Sequence, residues 1–255
     1  MLQTVKTKIP IKLIVFLCIL ATIIIAIASF YIIRKTAFNR AYKALDVTDT
    51  ATVTKLLKYG SKDSDTVYYI AEKFDESGDK QNATKLCLYI LQYLDSSHTG
   101  ATEYLTDCSF ESFEFGEIKK DFKVTTSYGT DSYASEGGIY CEFFEGYCKA
   151  KISPVRALDL YADQGGLYFL DSSDSLIKFM TSDGTEIKVK LQLPVSEFIY
   201  YESQLYYIDK TGVPFADKQI SLAEGESAMN LRVDSGRVCF TVYDSDFEEL
   251  RDQYI

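Results

Sequence analysis

Leu167-Tyr168-Phe169-Leu170-Asp171 returns 38 residues later as Leu205-Tyr206-Tyr207-Ile208-Asp209, and 33 residues after that as Val238-Cys239-Phe240-Thr241. Aromatic and β-branched side chains favour strands, and each run has a partner run across a short polar turn. Residues 157–162 pair with 167–171 across Asp163-Gln164-Gly165-Gly166. Residues 198–201 pair with 205–209 across Glu202-Ser203-Gln204, and 231–233 with 237–242 across Asp234-Ser235-Gly236. Upstream, 139–144 returns as 147–152 across Glu145-Gly146, and 176–181 and 186–191 flank Ser182-Asp183-Gly184-Thr185, a strong turn signal. From about residue 110 onward the chain therefore predicts an antiparallel all-β domain.

Moving toward the N-terminus, the apolar period changes from 2 to 3.6. Phe38, Ala41, Tyr42 and Leu45 form one stripe, and Val53, Leu56 and Leu57 a second ended by Gly60. Val67, Ile70, Ala71 and Phe74 form a third, entered through Asp65 as cap and ended at Gly78. Ala83, Leu86, Cys87, Ile90 and Leu94 form a fourth, and Ala101, Tyr104, Leu105 and Cys108 a fifth. Helices with one apolar face must pack on each other.

Residues 67–94 resemble a tetratricopeptide repeat: Ile70-Ala71, Phe74, Gly78 and Ala83 stand where that repeat places its Leu-Gly, Tyr, Gly and Ala. Val67, Cys87 and Asp95 depart from it, at the usual Trp, aromatic and Pro. Residues 38–60 resemble a degenerate preceding pair, so the resemblance covers at most 38–107. It implies a compact helical spacer or a small peptide-binding surface. Residues 155–243, with their aromatic strand, acid, second strand and Asp-Gly turn, resemble blades of low-density-lipoprotein-receptor-type β-propellers. That family closes with six blades, whereas the β-region here has room for roughly four. An unclosed ring leaves sheet edges to protect. A small or partial propeller, a β-sandwich or an edge covered by a partner would each serve.

Residues 13–33 carry no charge, and Thr22 and Ser29 are their only polar members. A helix of that length spans about 30 Å, the hydrocarbon thickness of a bilayer. Lys12 on one side and Arg34-Lys35 on the other mark its edges, with Tyr31 near the second. Apolar residues continue through Phe30-Tyr31-Ile32-Ile33, past the small-x-small Ala26-Ile27-Ala28, which favours an uncleaved signal anchor over a leader cut after Ala28. The basic residues flanking the span nearly balance. Since long domains translocate largely regardless of charge, the short tail is expected inside and residues 34–255 outside the cytoplasm.

The 255 residues include 27 basic and 37 acidic side chains, 20 Tyr, 6 Cys, one His and no Trp. Residues 1–45 hold seven bases and no acid; the remainder holds the other 20 bases and every acid. Such a body repels nucleic acid, whose binding rests on neutralised phosphates. The composition is too apolar for a disordered chain and too poor in Cys for a disulfide scaffold.

No site is assigned for catalysis, cofactor or metal. His98, in Asp95-Ser96-Ser97-His98-Thr99-Gly100, reads as a solvated loop residue, because nothing local supplies a nucleophile or an orienting group. Cys141 and Cys148 flank Phe143-Phe144-Glu145-Gly146. A two-residue turn there sets Cys141 opposite Ala150, leaving the two cysteines diagonal and hard to bridge. Cys87 and Cys108 lie on apolar helix positions. Asp171-Ser172-Ser173-Asp174 and Asp244-Ser245-Asp246 lack the spacing of a calcium loop and read as solvated turns. Asn82-Ala83-Thr84 has the glycosylation form, but Ala83 points to a packed helix. Paired carboxylates for glycoside chemistry could come from distant positions.

The sequence thus predicts an α+β protein in four parts. A basic tail (1–12) precedes a single transmembrane helix (13–33), a short antiparallel helical module (34–108) and a β-rich, propeller-like domain (109–255). The expected role is non-enzymatic: a membrane-anchored interaction or scaffold protein of the cell envelope, with the lipid bilayer and a protein or glycan as partners. An envelope hydrolase or carbohydrate-active enzyme and a cytoplasm-facing adaptor are the alternatives.

Overall fold

The structure, a computed structural model, describes residues 11–43, 45–108 and 124–255. The chain divides into two compact units, Met1–Asp46 and Val47–Ile255.

Among the described residues the first unit holds one helix, α1 (Ile11–Lys43). A stretch of it, Ile19–Lys43, is long and apolar enough to cross a membrane, with a mean hydropathy of 1.8 in its most apolar window. From residue 19 to 33 every side chain is exposed, Ile25 to 65%. Apolar groups surround this stretch without a polar stripe, the pattern of a helix in an apolar medium. Phe38, Ala41 and Tyr42 lie on the last turns of the same helix, and the Phe38 and Tyr42 rings sit 5.9 Å apart.

The second unit opens with α2 (Thr50–Gly60), α3 (Ser64–Glu76), α4 (Lys80–Tyr89) and α5 (Thr99–Asp107). Asp49, Asp63 and Asp79 cap the first three. Asp63, not Asp65, starts α3: its carboxylate accepts from the Thr66 amide at 3.2 Å, and Asp65 falls inside the first turn. The link between α3 and α4 is minimal. Gly78 takes φ +87°, its amide bonds Asp75 O and the Asp79 amide bonds Phe74 O, both at 2.9 Å. These two bonds close α3 as a Schellman turn, and the residue after Gly78 already caps α4. A single π turn, Ile90–Leu94, extends α4.

Among the described residues fourteen strands form four antiparallel sheets. The first comprises β1 (Val124–Tyr128), β2 (Asp131–Ser135), β3 (Ile139–Phe143) and β4 (Cys148–Ser153). The second comprises β5 (Ala157–Asp163), β6 (Gly166–Asp171), β7 (Ile177–Thr181) and β8 (Ile187–Val189). β9 (Val195–Tyr201), β10 (Gln204–Asp209) and β11 (Pro214–Phe215) form the third. β12 (Ser227–Asp234), β13 (Arg237–Tyr243) and β14 (Glu249–Tyr254) form the fourth. The first strands β1, β5, β9 and β12 neighbour one another in that order, as successive blades do, and among the described residues the sheets do not close into a barrel.

The expected hairpins form. Glu202-Ser203 and Ser235-Gly236 connect their strands with both central residues at positive φ, the geometry that matches strand twist. One hairpin differs in detail: β3 stops at Phe143, and residues 144–147 make a longer turn with Phe144, Glu145 and Gly146 all at positive φ. The cause is packing. The Phe144 ring leaves the strand to stack on Phe74 of α3, with centroids 5.7 Å apart. Cys141 still pairs with Ala150, and Phe143 with Cys148.

Buried clusters join the sheets. Leu170, Ile177, Val195 and Phe198 pack between the second and third; Ile208, Ala228, Phe240 and Val242 between the third and fourth. Asp171 and Asp209 end the second strand of their sheets and Asp244 follows that of its own, and each carboxylate accepts from amides of the next loop. This shared turn gives the recurring aromatic–acid runs a structural meaning.

Candidate functional site

The helices dock on the first sheet through one face of its strands. Tyr133, Cys141, Phe143, Cys148 and Ala150 share that buried face, by the alternation of strand side chains. Lys85 of α4, only 3% exposed, reaches Asp131 Oδ2 at 2.5 Å and lies 5.1 Å above the centre of the Phe143 ring. Burial of a lysine requires such a partner. Gln92, on the π turn, pairs with the backbone of Lys151 in β4: its Oε1 accepts at 2.8 Å and its Nε2 donates at 3.0 Å. That amide covers the outer edge of the sheet, where another chain would otherwise add.

Between α4, the β1–β2 turn and the β5–β6 turn lies a cavity of about 470 Å³. Its wall includes Gln81, Asn82, Lys85, Tyr128, Asp131 and Gln164, with Phe74 and Phe144 also contributing. Ser182 Oγ donates to Gln81 Oε1 at 2.7 Å, tying α4 to the second sheet. Burial pushes the Tyr133 hydroxyl pKa well up and, with the nearby Asp131 charge, outweighs Lys85 in pushing the Cys141 thiol up to about 12. Both groups are neutral near neutrality and unsuited to act as nucleophiles.

A second constellation lies along the first strands. Burial, and then the charge of Glu197, raises the Asp159 carboxyl above its ordinary value. The Glu197 carboxylate accepts from the amides of Asn230 and Leu231 at 3.1 and 2.7 Å. Those amides come from a break in the β12–β13 register, with Asn230 at φ +56°. Glu197 thus clamps a bulge of the next sheet.

The residues singled out from sequence take structural positions. His98 is corrected from solvated loop to helix cap. Its Nδ1 accepts from the Ala101 amide at 3.1 Å, its ring lies 4.8 Å from that of Tyr68, and the side chain is 12% exposed. Asp171 is also corrected: it is buried, not solvated. Lys178 Nζ bridges it and Asp174 at 2.7 and 2.6 Å. Burial alone would raise the Asp171 carboxyl, but Lys178 and the Ser173 amide and hydroxyl hold it below the ordinary range. Asp244 accepts from the amides of Asp246 and Glu248, both at 2.9 Å. Among the described residues no group of three or more His, Cys, Asp or Glu is placed to hold a metal.

Cys141 and Cys148 are both buried on the helix-facing side, diagonal to each other and unbridged. Cys87 is buried, and burial pushes its thiol up to about 12; Cys108 is partly exposed at the end of α5. Asn82 donates its amide to Asp79 Oδ2 at 2.7 Å, while Ala83 and Thr84 are buried. Neither the Lys85–Asp131 pair nor the Glu197 clamp follows from the sequence pattern. The one local hint is that Lys85 directly precedes the apolar run Leu86-Cys87-Leu88.

No protein-family model matches the chain, and no curated protein does. Among solved structures, the computationally designed Ika4 protein is 9% identical with a TM-score of 0.38, over 57% of this chain and 99% of that one. A chain of the nidogen/laminin complex is 14% identical with a TM-score of 0.37, over 54% of this chain and 66% of that one. Apo AztD from Citrobacter koseri is 11% identical with a TM-score of 0.32, over 52% of this chain and 46% of its own. At these scores nothing about activity passes to this chain.

Proposed function

We propose that this is a membrane-anchored, non-enzymatic interaction or scaffold protein of the cell envelope. In this reading α1 is an uncleaved single-pass anchor, and the acidic, Tyr-rich second unit is a small propeller-like body displayed outside the cytoplasm for a protein or glycan partner. The observation that carries it is the all-round exposure of apolar side chains from residue 19 to 33. In water such a surface would drive association, and in lipid it has its natural solvent. Support for a binding rather than catalytic body comes from its ionisable groups. Lys85, Lys178, Glu197, Arg232 and Arg251 all hold elements of the fold together.

The hydrolase reading has its best support in Asp159, whose raised carboxyl stands near Glu197. Both Glu197 oxygens are occupied by backbone amides, which leaves that carboxylate poorly placed as a base. Sidedness is tested by placing a cysteine at the exposed turn position Asp246 (Asp246→Cys) and treating intact cells with a membrane-impermeant maleimide. Labelling before permeabilisation is the expected result. Labelling only afterwards would favour the cytoplasm-facing adaptor.

A further inference from the structure

We propose that the 470 Å³ cavity between α4 and the first two sheets binds a neutral carbohydrate. This rests on the reading of the protein as an interaction protein and names the partner class and the place. The volume is within the range of small-ligand sites, and the chemistry of the wall narrows the class.

The charges there are largely satisfied from within. Both Asp79 oxygens accept from Asn82, at 3.1 and 2.7 Å. Asp163 accepts from the Gln164 amide at 2.7 Å and from the Tyr200 hydroxyl at 2.5 Å. Lys85 is matched by Asp131. Three carboxylates against one ammonium repel an anionic ligand, and the internal donors already on those carboxylates weaken the attraction for a cationic one.

What remains turned to the cavity is a mixture of donors and acceptors. It comes from the lining residues Gln81, Asn82 and Gln164, whose side-chain amides carry both donors and acceptors, and from Thr50 and Thr130. A hydroxyl both donates and accepts, so a polyol can use every one of them. Tyr128, a lining residue that is 47% exposed, supplies an aromatic ring on which the C–H side of a sugar can pack. The wall is also held in place beforehand, since Ser182 fixes Gln81 and Lys85 fixes Asp131.

The test uses the full chain in lipid nanodiscs, because glycoside detergents would compete. Maltotriose, cellotriose, chitotriose and mannotriose are each titrated by calorimetry. At least one is expected to bind with a submillimolar Kd, and Tyr128→Ala and Gln164→Ala are each expected to weaken it about tenfold without moving the melting temperature. Three results would overturn the site: none of the four binds, binding persists unchanged in both variants, or only a nonalysine peptide binds and is released by salt. The same samples separate the two levels of the argument. A chain that inserts but binds no sugar removes the site alone, and one that fails to enter nanodiscs removes the anchor. Bound trisaccharide that is cleaved keeps the site but ends the non-enzymatic reading.

Discussion

From residue 19 to 33 the surface of α1 is isoleucine, alanine, leucine, phenylalanine and tyrosine on every side, with Thr22 and Ser29 the sole interruptions. The fourth sheet turns Phe240 and Val242 inward to Ile208 of the third sheet, and its outward face is a ladder of polar pairs. Arg232 meets Asp252 at 2.6 Å, Thr241 donates to Asp252 at 2.8 Å, Tyr254 donates to Asp234 at 2.6 Å, and Arg237 lies 5.1 Å from the centre of the Tyr254 ring. The contrast is one of solvent. An apolar surface with no buried side to favour suits lipid. A sheet with one apolar and one ion-paired face buries the first and suits water on the second.

The largest expected effect comes from giving α1 the surface of the body. Ile25→Arg with Ile27→Arg places two charges mid-helix, each costing roughly 2.5–3.5 kcal/mol on insertion. The chain should move from the carbonate-resistant membrane fraction to the wash, and unchanged retention would break the contrast.

Next is Lys85→Met, which keeps the stem of the side chain and removes the ammonium facing Asp131. Breaking a buried pair costs about 3–5 kcal/mol, and less here because Asp131 is partly exposed. A loss of about 2 kcal/mol should appear in the urea midpoint of the body, and Asp131→Asn should restore part of it. Glu197→Ala should cost about 2 kcal/mol by leaving the Asn230 and Leu231 amides without their acceptor. No change would mean that the bulge is held by something else.

The smallest effect is Asp159→Asn. Burial and Glu197 raise the Asp159 carboxyl, so the folded state holds that proton more tightly than the unfolded chain does. Its charge therefore disfavours folding at neutral pH, and the penalty is relieved as pH falls through the raised pKa. The variant should be slightly more stable than the parent at pH 7 and lose that advantage in mild acid. Asp171 has the opposite sign. Its lowered carboxyl stabilises the fold above the ordinary aspartate range and stops doing so as pH falls below it.

Much of this architecture is legible locally. Hairpins at Glu202-Ser203 and Ser235-Gly236 follow from turn chemistry, and the stripes of α2 to α5 from period. β1 and β2 carry Ser, Thr and Tyr with little apolar alternation, so their pairing is not legible before the sheet is seen. His98 lies outside the usual Ser, Thr, Asn and Asp capping set, and its capping role emerges only from the Ala101 amide and the Tyr68 ring. The cavity was out of reach because its parts meet across long separations: Lys85 with Asp131 across 46 residues and Gln81 with Ser182 across 101. No period or turn rule encodes such meetings.

Flotation of the full-length chain from cells in which it is made, followed by alkaline carbonate extraction and a check of its N-terminus, tests the lipid partition at its source. The expected product rises with the membranes, resists the carbonate wash and begins at its own first residue. A full-length product that stays dense and dissolved without detergent would contradict the anchor and every role that depends on it.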